Sequence, residues 1–439
     1  MTRKLMSEQD GDESRGIGRE RQSEIYLAGL SGETPSVPAD MVELEQQARR
    51  AMSEEAFAYI AGGAGTESTI MENREAFERW RIIPRMLRDV STRDTTVELF
   101  GRTLDSPYLT APIGVLEMAH EEADLAVARA AADENVPMIF SNQASEPMEK
   151  TAEALGDTPY FFQLYWSKSN DLVESLVRRA EKCGCEGIIV TLDTTLLGWR
   201  IRDLDLAYLP FLRGKGIAQY VSDPVFQHLL DTEVEGEDSD EVGDRKINLQ
   251  TVKAIAELMT SYPAGVFENL RSGKPLKAVQ KFINIYSRPS LTWDDLSFVQ
   301  ELTDLPILLK GVLHPGDAKK AVEHGADGLV VSNHGGRQVD GALGALDALP
   351  DVVDAVAGSI PVLFDSGIRT GADAFKALAL GARAVCLGRP YCYALAVAGE
   401  QGVRDLLRNF KADFDLTMGL SGCKATFEID RDCLKRVSR

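Results

Sequence analysis

The segment Leu305–Pro390 reads LPILLKGVLHPGDAKKAVEHGADGLVVSNHGGRQVDGALGALDALPDVVDAVAGSIPVLFDSGIRTGADAFKALALGARAVCLGRP. Four short apolar runs punctuate it, Leu305–Lys310, Gly328–Ser332, Ile360–Phe364 and Ala384–Gly388, with amphipathic helical stretches between them. Short, often β-branched runs without polar alternation mark strands buried on both faces. Upstream, Tyr108–Pro112, Pro137–Asn142, Tyr160–Tyr165 and Gly187–Asp193 have the same character. Helix starts are marked too: Thr292-x-x-Asp295 and Thr370-x-x-Asp373 resemble capping boxes, with Asp in place of Glu or Gln. Eight strands alternating with helices predict an α/β chain folded as a (β/α)8 barrel. An open doubly wound sheet is the alternative, since counting strands does not establish closure.

In such a barrel the site lies at the C-terminal ends of the strands. Nearly every candidate strand here ends in groups able to hydrogen-bond a ligand, which a purely structural barrel would not need. The first four end at Pro112-Ile113-Gly114, Ser141-Asn142-Gln143, Gln163-Leu164-Tyr165 and Thr191-Leu192-Asp193. The last four end at Lys310, at Ser332-Asn333-His334-Gly335-Gly336-Arg337-Gln338, at Asp365-Ser366-Gly367-Ile368-Arg369 and at Gly388-Arg389-Pro390. Gly367 and Gly388 allow close backbone approach to an anion, and Arg369 and Arg389 can clamp a phosphate. His334 is the candidate base and Asp193 its partner, holding the tautomer and stabilising the imidazolium. Arg337 can bind a carboxylate, and Lys310 can stabilise negative charge on an electron-accepting ring. Structural readings of the same residues remain open at this point: His334 capping a helix, Arg337 pairing with Asp340, Lys310 snorkelling.

Composition narrows the function classes. The chain has 439 residues, 44% of them apolar and 26% charged, enough for a large core and incompatible with wholesale disorder. No window is apolar enough to span a membrane, and the N-terminus lacks the apolar stretch of a secretory signal, so a soluble cytoplasmic protein is expected. The net charge of −20 disfavours nucleic acid and anionic membrane as partners. It suggests adaptation to a salty cytoplasm, where a Debye length of about 3 Å at molar salt removes self-repulsion. The cysteines, Cys183, Cys185, Cys386, Cys392, Cys423 and Cys433, are too sparse for a disulfide scaffold and read as reduced thiols. The five histidines show no metal-ligand spacing, and no metal is expected.

Residues 1–40 are polar and read as a poorly ordered tail ahead of a catalytic domain over 41–439. A helical stretch, Met41–Ile60, ends at Gly62, Gly63 and Gly65, where glycines would supply a left-handed stop. The connection between the fourth and fifth strands is anomalously long. Its insertion, about 203–290, includes Asp231–Glu241, with seven acids in eleven residues. On the active-site face such an insertion reads as a lid, the alternative being a decoration or oligomer contact.

These residues resemble the FMN-dependent α-hydroxy-acid oxidase and dehydrogenase family. The resemblance rests on S-N-H-G-G-R-Q at Ser332–Gln338, A-Y-I-A-G-G-A at Ala58–Ala64, F-F-Q-L-Y at Phe161–Tyr165 and T-L-D-T at Thr191–Thr194. It extends to L-P-I-L-L-K-G at Leu305–Gly311, G-R-P at Gly388–Pro390 and L-T-M-G-L-S-G-C at Leu416–Cys423. It implies His334 as the active-site base paired with Asp193, and Arg337, Tyr59 and Arg200 as contacts of the substrate carboxylate. Tyr165 would hydrogen-bond the substrate hydroxyl. FMN would be held by Pro112, Ile113, Gly114, Ser141, Gln163, Thr191, Lys310, Ser332, Asp365 and Ser366, with its phosphate near Gly367, Arg369, Gly388 and Arg389.

Departures from the family's commoner pattern point to a subgroup. Gly114 replaces a frequent Ala, Gln143 a frequent Trp, Thr195 a Pro and Ser366 a second Gly. P-I-G-V-L-E, S-N-Q-A-S and F-D-S-G-I-R look like lactate 2-monooxygenase, and loss of the Ala methyl at Gly114 would leave space beside the flavin. The resemblance therefore implies oxidation of a small L-2-hydroxy acid, L-lactate above all, by O2 to acetate, CO2 and water. An oxidase or dehydrogenase releasing the 2-oxo acid is the alternative, and an FMN-dependent isopentenyl diphosphate isomerase the remote one. Relatives commonly assemble, so a homotetramer or homo-octamer is expected.

Overall fold

All eight apolar runs form strands: β1 Tyr108–Thr110, β2 Met138–Phe140, β3 Tyr160–Leu164, β4 Ile188–Thr191, β5 Ile307–Lys310, β6 Gly328–Val331, β7 Val362–Phe364 and β8 Ala384–Leu387. The structure, a computed structural model, describes residues 16–232, 249–263 and 265–437. The strands are parallel, pair in chain order and close, Val385 of β8 lying opposite Tyr108 of β1. Closure rules out the open sheet. Each strand is one to three residues shorter than its apolar run, β5 and β7 at their starts and the others wholly or partly at their ends, where the run continues into the loop that carries the polar groups.

Side chains alternate across each strand. Leu109, Ile139, Phe161, Ile189, Leu308, Val330, Leu363 and Cys386 fill the barrel, and their neighbours, among them Phe140, Phe162, Val331 and Phe364, face the surrounding helices. A hairpin, Val97–Leu99 with Arg102–Leu104, plugs the lower end, where Val97, Leu99 and Leu104 join the barrel's interior cluster.

The N-terminal region corrects three expectations. Residues 1–15 lie outside the described residues, but Ile17–Gly29 forms helix α1 instead of a poorly ordered tail. It lies on the last helix, Arg389–Ser421: the Gly18 amide donates to Asp415, and Arg21 pairs with Asp405, both at 2.9 Å. Its polar residues, which suggested disorder, are instead partners for buried acids. The expected helix Met41–Ile60 is two, α2 (Met41–Ala51) and α3 (Glu54–Ala61), broken where Met52 turns extended and Ser53 caps α3. Finally, Gly62 ends α3 in an extended conformation, φ −67°, and not a left-handed one. Glycine is needed there for proximity: a Cβ on Gly62 would lie 2.4 Å from the Ala58 carbonyl oxygen, and one on Gly63 2.9 Å from that of Gly336.

Thr292 and Asp295 form the expected capping box. At Thr370 only half of one forms, because the Asp373 carboxylate turns to the Arg369 amide and Arg74.

The insertion is largely helical. Its described helices are Ile201–Asp205, Pro210–Arg213, Ala218–Val221 and Pro224–Thr232, then Leu249–Ser261, Val266–Ser272 and Lys274–Ile285. Most of the acidic run Asp231–Glu241 lies outside the described residues. Phe282 anchors the rest, in ring contact with Phe211 at 5.2 Å, Tyr220 at 4.8 Å and Tyr286 at 5.2 Å.

Candidate active site

Strand alternation fixes the floor of the site. Two residues beyond the apolar layer inside the barrel, the same inward direction is taken by Ala111, Ser141, Gln163, Thr191, Lys310, Ser332, Asp365 and Gly388. The barrel therefore ends in a polar layer. It is internally bonded: the Gln163 amide accepts from Ser141 and donates to Thr191, while Lys310 Nζ donates to Ser332 Oγ at 3.0 Å and pairs with Asp365 at 3.2 Å. Lys310 is 3% exposed and does not snorkel. Its carboxylate neighbours Asp365 and Asp193 raise its pKa in spite of burial.

Above this layer opens a cleft of about 980 Å³, including its solvent-filled mouth. Of the residues singled out from sequence, Tyr59, Pro112, Ile113, Gly114, Tyr165, Arg200, Lys310, His334, Arg337, Asp365, Ser366, Gly367, Arg369, Gly388 and Arg389 line it. Ser141, Gln163, Thr191 and Ser332 sit beneath it in the polar layer, and Asp193 lies behind His334. Sequence reasoning did not single out Phe211 and Tyr286, which line the cleft from the insertion, or Leu197 and Thr194. No motif marks the two aromatic residues. Nothing in the sequence distinguishes them from the other apolar residues of the insertion.

His334 Nδ1 lies 2.8 Å from Asp193 Oδ1. Burial alone would raise the Asp193 pKa, but the charges of His334 and Lys310 bring it down to about 2. An ionised carboxylate only accepts, so Nδ1 carries the hydrogen and the Nε2 lone pair is free to take a proton. Burial lowers the His334 pKa, against the pull of Asp193 and helped by Lys310 and Arg200, so the imidazole is neutral at pH 7. Burial and the Asp193 charge push Tyr165 up to about 12, which keeps its hydroxyl a donor.

Arg337 and Asp340 do not pair. Asp340 instead caps the start of α4 (Ser68–Glu78), accepting from Thr66 and Ser68. Arg337 donates to the carbonyls of Tyr59 and Gly62, beneath the Tyr59 ring at 5.0 Å. Burial, then the neighbouring charge of Arg200, lowers its pKa to about 9. Arg389 donates to the carbonyls of Ile60, Gly62 and Gly335, bracing α3 against the His334 turn, and Arg369 donates to its own Ile368 carbonyl. Among the described residues no ion pair includes Arg200, Arg337, Arg369 or Arg389. Four buried or half-buried cations without carboxylate partners call for anions.

Two glycines differ in meaning. At Gly388 an added Cβ would meet nothing closer than 3.7 Å, so that backbone opens on the cleft. At Gly114 it would lie 2.8 Å from the Gln143 Cβ and carbonyl oxygen, so glycine there is required by the close approach of two loops. The expected free space beside Gly114 is already taken up by Gln143.

A polar floor, an open glycine at the end of β8 and unneutralised cations fit a planar, phosphorylated ring system beside a small anion. The model of the FMN-dependent dehydrogenase family matches residues 48–436. The chain belongs to that family. FMN is accordingly its cofactor, and an FMN-dependent α-hydroxy-acid oxidoreductase is its class. Among other family members, the L-lactate oxidase of Lysinibacillus sphaericus (strain C3-41) is 40% identical over 91% of this chain and 93% of its own. The 4-hydroxymandelate oxidase of Amycolatopsis orientalis is 39% identical over 88% of this chain and 95% of its own. A family member solved as mandelate oxidase with (S)-4-hydroxymandelic acid superposes with a TM-score of 0.74. It is 36% identical and covers 91% of this chain and 98% of its own.

Among the described residues, no group of three His, Cys, Asp or Glu side chains could hold a metal ion. No described helix is long and apolar enough to cross a membrane. All six cysteines are free thiols.

Proposed function

We propose that the protein oxidises L-lactate with O2 and retains the product long enough to decarboxylate it, giving acetate, CO2 and water. The observation that carries this reading is the aromatic wall from the insertion. Phe211 is 4% exposed, meets the Tyr59 ring edge-on at 6.4 Å and lines the cleft with Tyr286. A substrate in the cleft is thus walled in by residues from the long insertion, as product retention requires.

In this reading the carboxylate of lactate neutralises Arg337 and Arg200, with the Tyr59 hydroxyl beside them. Tyr165 donates to the substrate hydroxyl oxygen, and His334 Nε2 removes the hydroxyl proton while Asp193 stabilises the imidazolium. FMN, when bound, would supply a two-electron acceptor that O2 can reoxidise. Pro112, Ile113, Gly114, Ser141, Gln163, Thr191, Lys310, Ser332, Asp365 and Ser366 would hold its ring and ribityl chain, with Gly367, Arg369, Gly388 and Arg389 at the phosphate. Retained pyruvate then reacts with hydrogen peroxide: peroxide adds to the keto carbon, the carbon–carbon bond breaks, and acetate, CO2 and water result.

A second reading is an L-lactate oxidase that releases pyruvate and peroxide, favoured by the 40% identity to a protein of that name. The deciding experiment incubates FMN-loaded protein with L-lactate in air and quantifies acetate, CO2, pyruvate and peroxide together. Equal acetate and CO2 with little peroxide supports retention. Pyruvate with peroxide makes it an oxidase, and lactate-driven flavin bleaching without O2 uptake makes it a dehydrogenase. No bleaching removes lactate as substrate. We further propose a homotetramer or homo-octamer in the cytoplasm, and a monomeric mass in solution would contradict the assembly.

A further inference from the structure

The turn carrying His334 is built against ordinary backbone preference. His334 lies at φ 58°, Gly335 at 62° and Gly336 at 77°. The three amides of this left-handed turn each donate to a different side-chain oxygen, and that of Gly336 also reaches the Asn333 carbonyl at 3.0 Å. The His334 amide donates to Ser332 Oγ at 3.0 Å, Gly335 to Ser366 Oγ at 3.0 Å and Gly336 to Asn333 Oδ1 at 3.1 Å. Ser332 and Asn333 belong to the turn itself. Ser366 reaches it from the end of β7 and also lies 3.4 Å from the Asn333 amide.

Ser366 is itself in the left-handed region, at φ 94°, and 5% exposed. A residue with a Cβ is strained there, and glycine would relieve the strain. A strained serine whose hydroxyl accepts from the turn bearing the base has a use for that hydroxyl. We propose that Ser366 is a positioning residue: its Oγ, by holding the Gly335 amide, fixes the His334 imidazole against Asp193. The proposal rests on the reading of His334 as the base.

The test compares FMN-loaded wild type with Ser366→Ala and Ser366→Gly. Both variants lose the hydroxyl, but only the alanine keeps a Cβ at positive φ. Hydrogen exchange followed by mass spectrometry on the peptide spanning Ser332–Arg337 should show the Gly335 amide exchanging about ten-fold faster or more in both variants. With L-lactate, kcat/KM should fall by about ten-fold or more in both. The acid limb of the pH profile should move toward an ordinary histidine, although the glycine variant melts at a higher temperature than the alanine one. Exchange unchanged from wild type would overturn the proposal. So would a glycine variant with wild-type kcat/KM and pH profile, because the serine would then be a structural accident. Exchange is read without turnover, so full activity in His334→Gln would sink the base assignment while leaving the exchange result standing on its own.

Discussion

Asp193 reaches His334 with one carboxylate oxygen and leaves the other without a hydrogen-bond partner, buried against Gly311. A Cβ on Gly311, at φ 103°, would come within 2.9 Å of that second oxygen. The bonded oxygen holds the imidazole and also accepts from Thr194, while Lys310 helps keep the carboxylate ionised. His334→Gln should lower kcat by roughly 10²–10⁴ and Asp193→Asn by about 10² or more, with melting temperatures close to wild type. Rapid-mixing measurement of flavin reduction by L-lactate checks this, and unimpaired reduction in His334→Gln would remove the base from the mechanism.

The same pair makes stability depend on pH. Burial holds His334 below the ordinary histidine value of about 6.5, so the unfolded chain binds the proton first as pH falls. Its contribution to stability is complete above pH about 6.5 and is lost on acidification toward the folded pKa. Asp193, held down to about 2, contributes above about 3.9 and loses its contribution as the pH falls further. Melting temperature should fall between pH 7 and pH 5 in the wild type and less steeply in His334→Gln. Parallel slopes would show that this imidazole is not buried in its neutral form.

Phe211 separates retention from release. Phe211→Ala opens the cleft where the insertion meets Tyr59, without touching the His334–Asp193 pair. Flavin reduction by lactate should stay within a few-fold of wild type while the ratio of peroxide to acetate rises by about ten-fold. An unchanged ratio would move the retaining element to another part of the insertion.

Net charge should show as a salt requirement. With −20 on one chain, self-repulsion is strongest in dilute buffer. Molar KCl, with a Debye length of about 3 Å, should raise the melting temperature and preserve activity. Full activity in dilute buffer combined with unfolding in molar KCl would end the idea of a salt-adapted surface.

Much of the site was legible because alternation along a strand is a rigid rule. Once Leu308, Val330 and Leu363 face inward, Lys310, Ser332 and Asp365 must as well, and those are the groups the strand ends displayed. What sequence could not give is the approach of segments remote in the chain. Arg389 reads as a phosphate clamp, and no sequence signal shows that α3 also brings it the carbonyls of Ile60 and Gly62, which it braces. Gly114 reads as added space beside the flavin, but the place of the missing methyl is taken by Gln143. Phe211 and Tyr286 have no motif at all and acquire a role only because Phe282 packs the insertion down onto the cleft.

The outer strand pair has a consequence for the order in which the molecule is made. Trp80–Ile82 pairs with Leu434–Arg436, and α1 lies on the helix that ends at Ser421. Between α3 and that first strand runs α4, whose Asn73 exchanges hydrogen bonds with Asn333 beside the base. The segment bearing Tyr59 thus depends on partners translated hundreds of residues later. A nascent chain would carry α1 and Trp80–Ile82 without their partners until Arg389–Ser421 and Leu434–Arg436 have been made, a topology of distant contacts that folds slowly and exposes apolar surface meanwhile. Pairing of Trp80–Ile82 is accordingly a late event, open only once Leu434–Arg436 has left the ribosome.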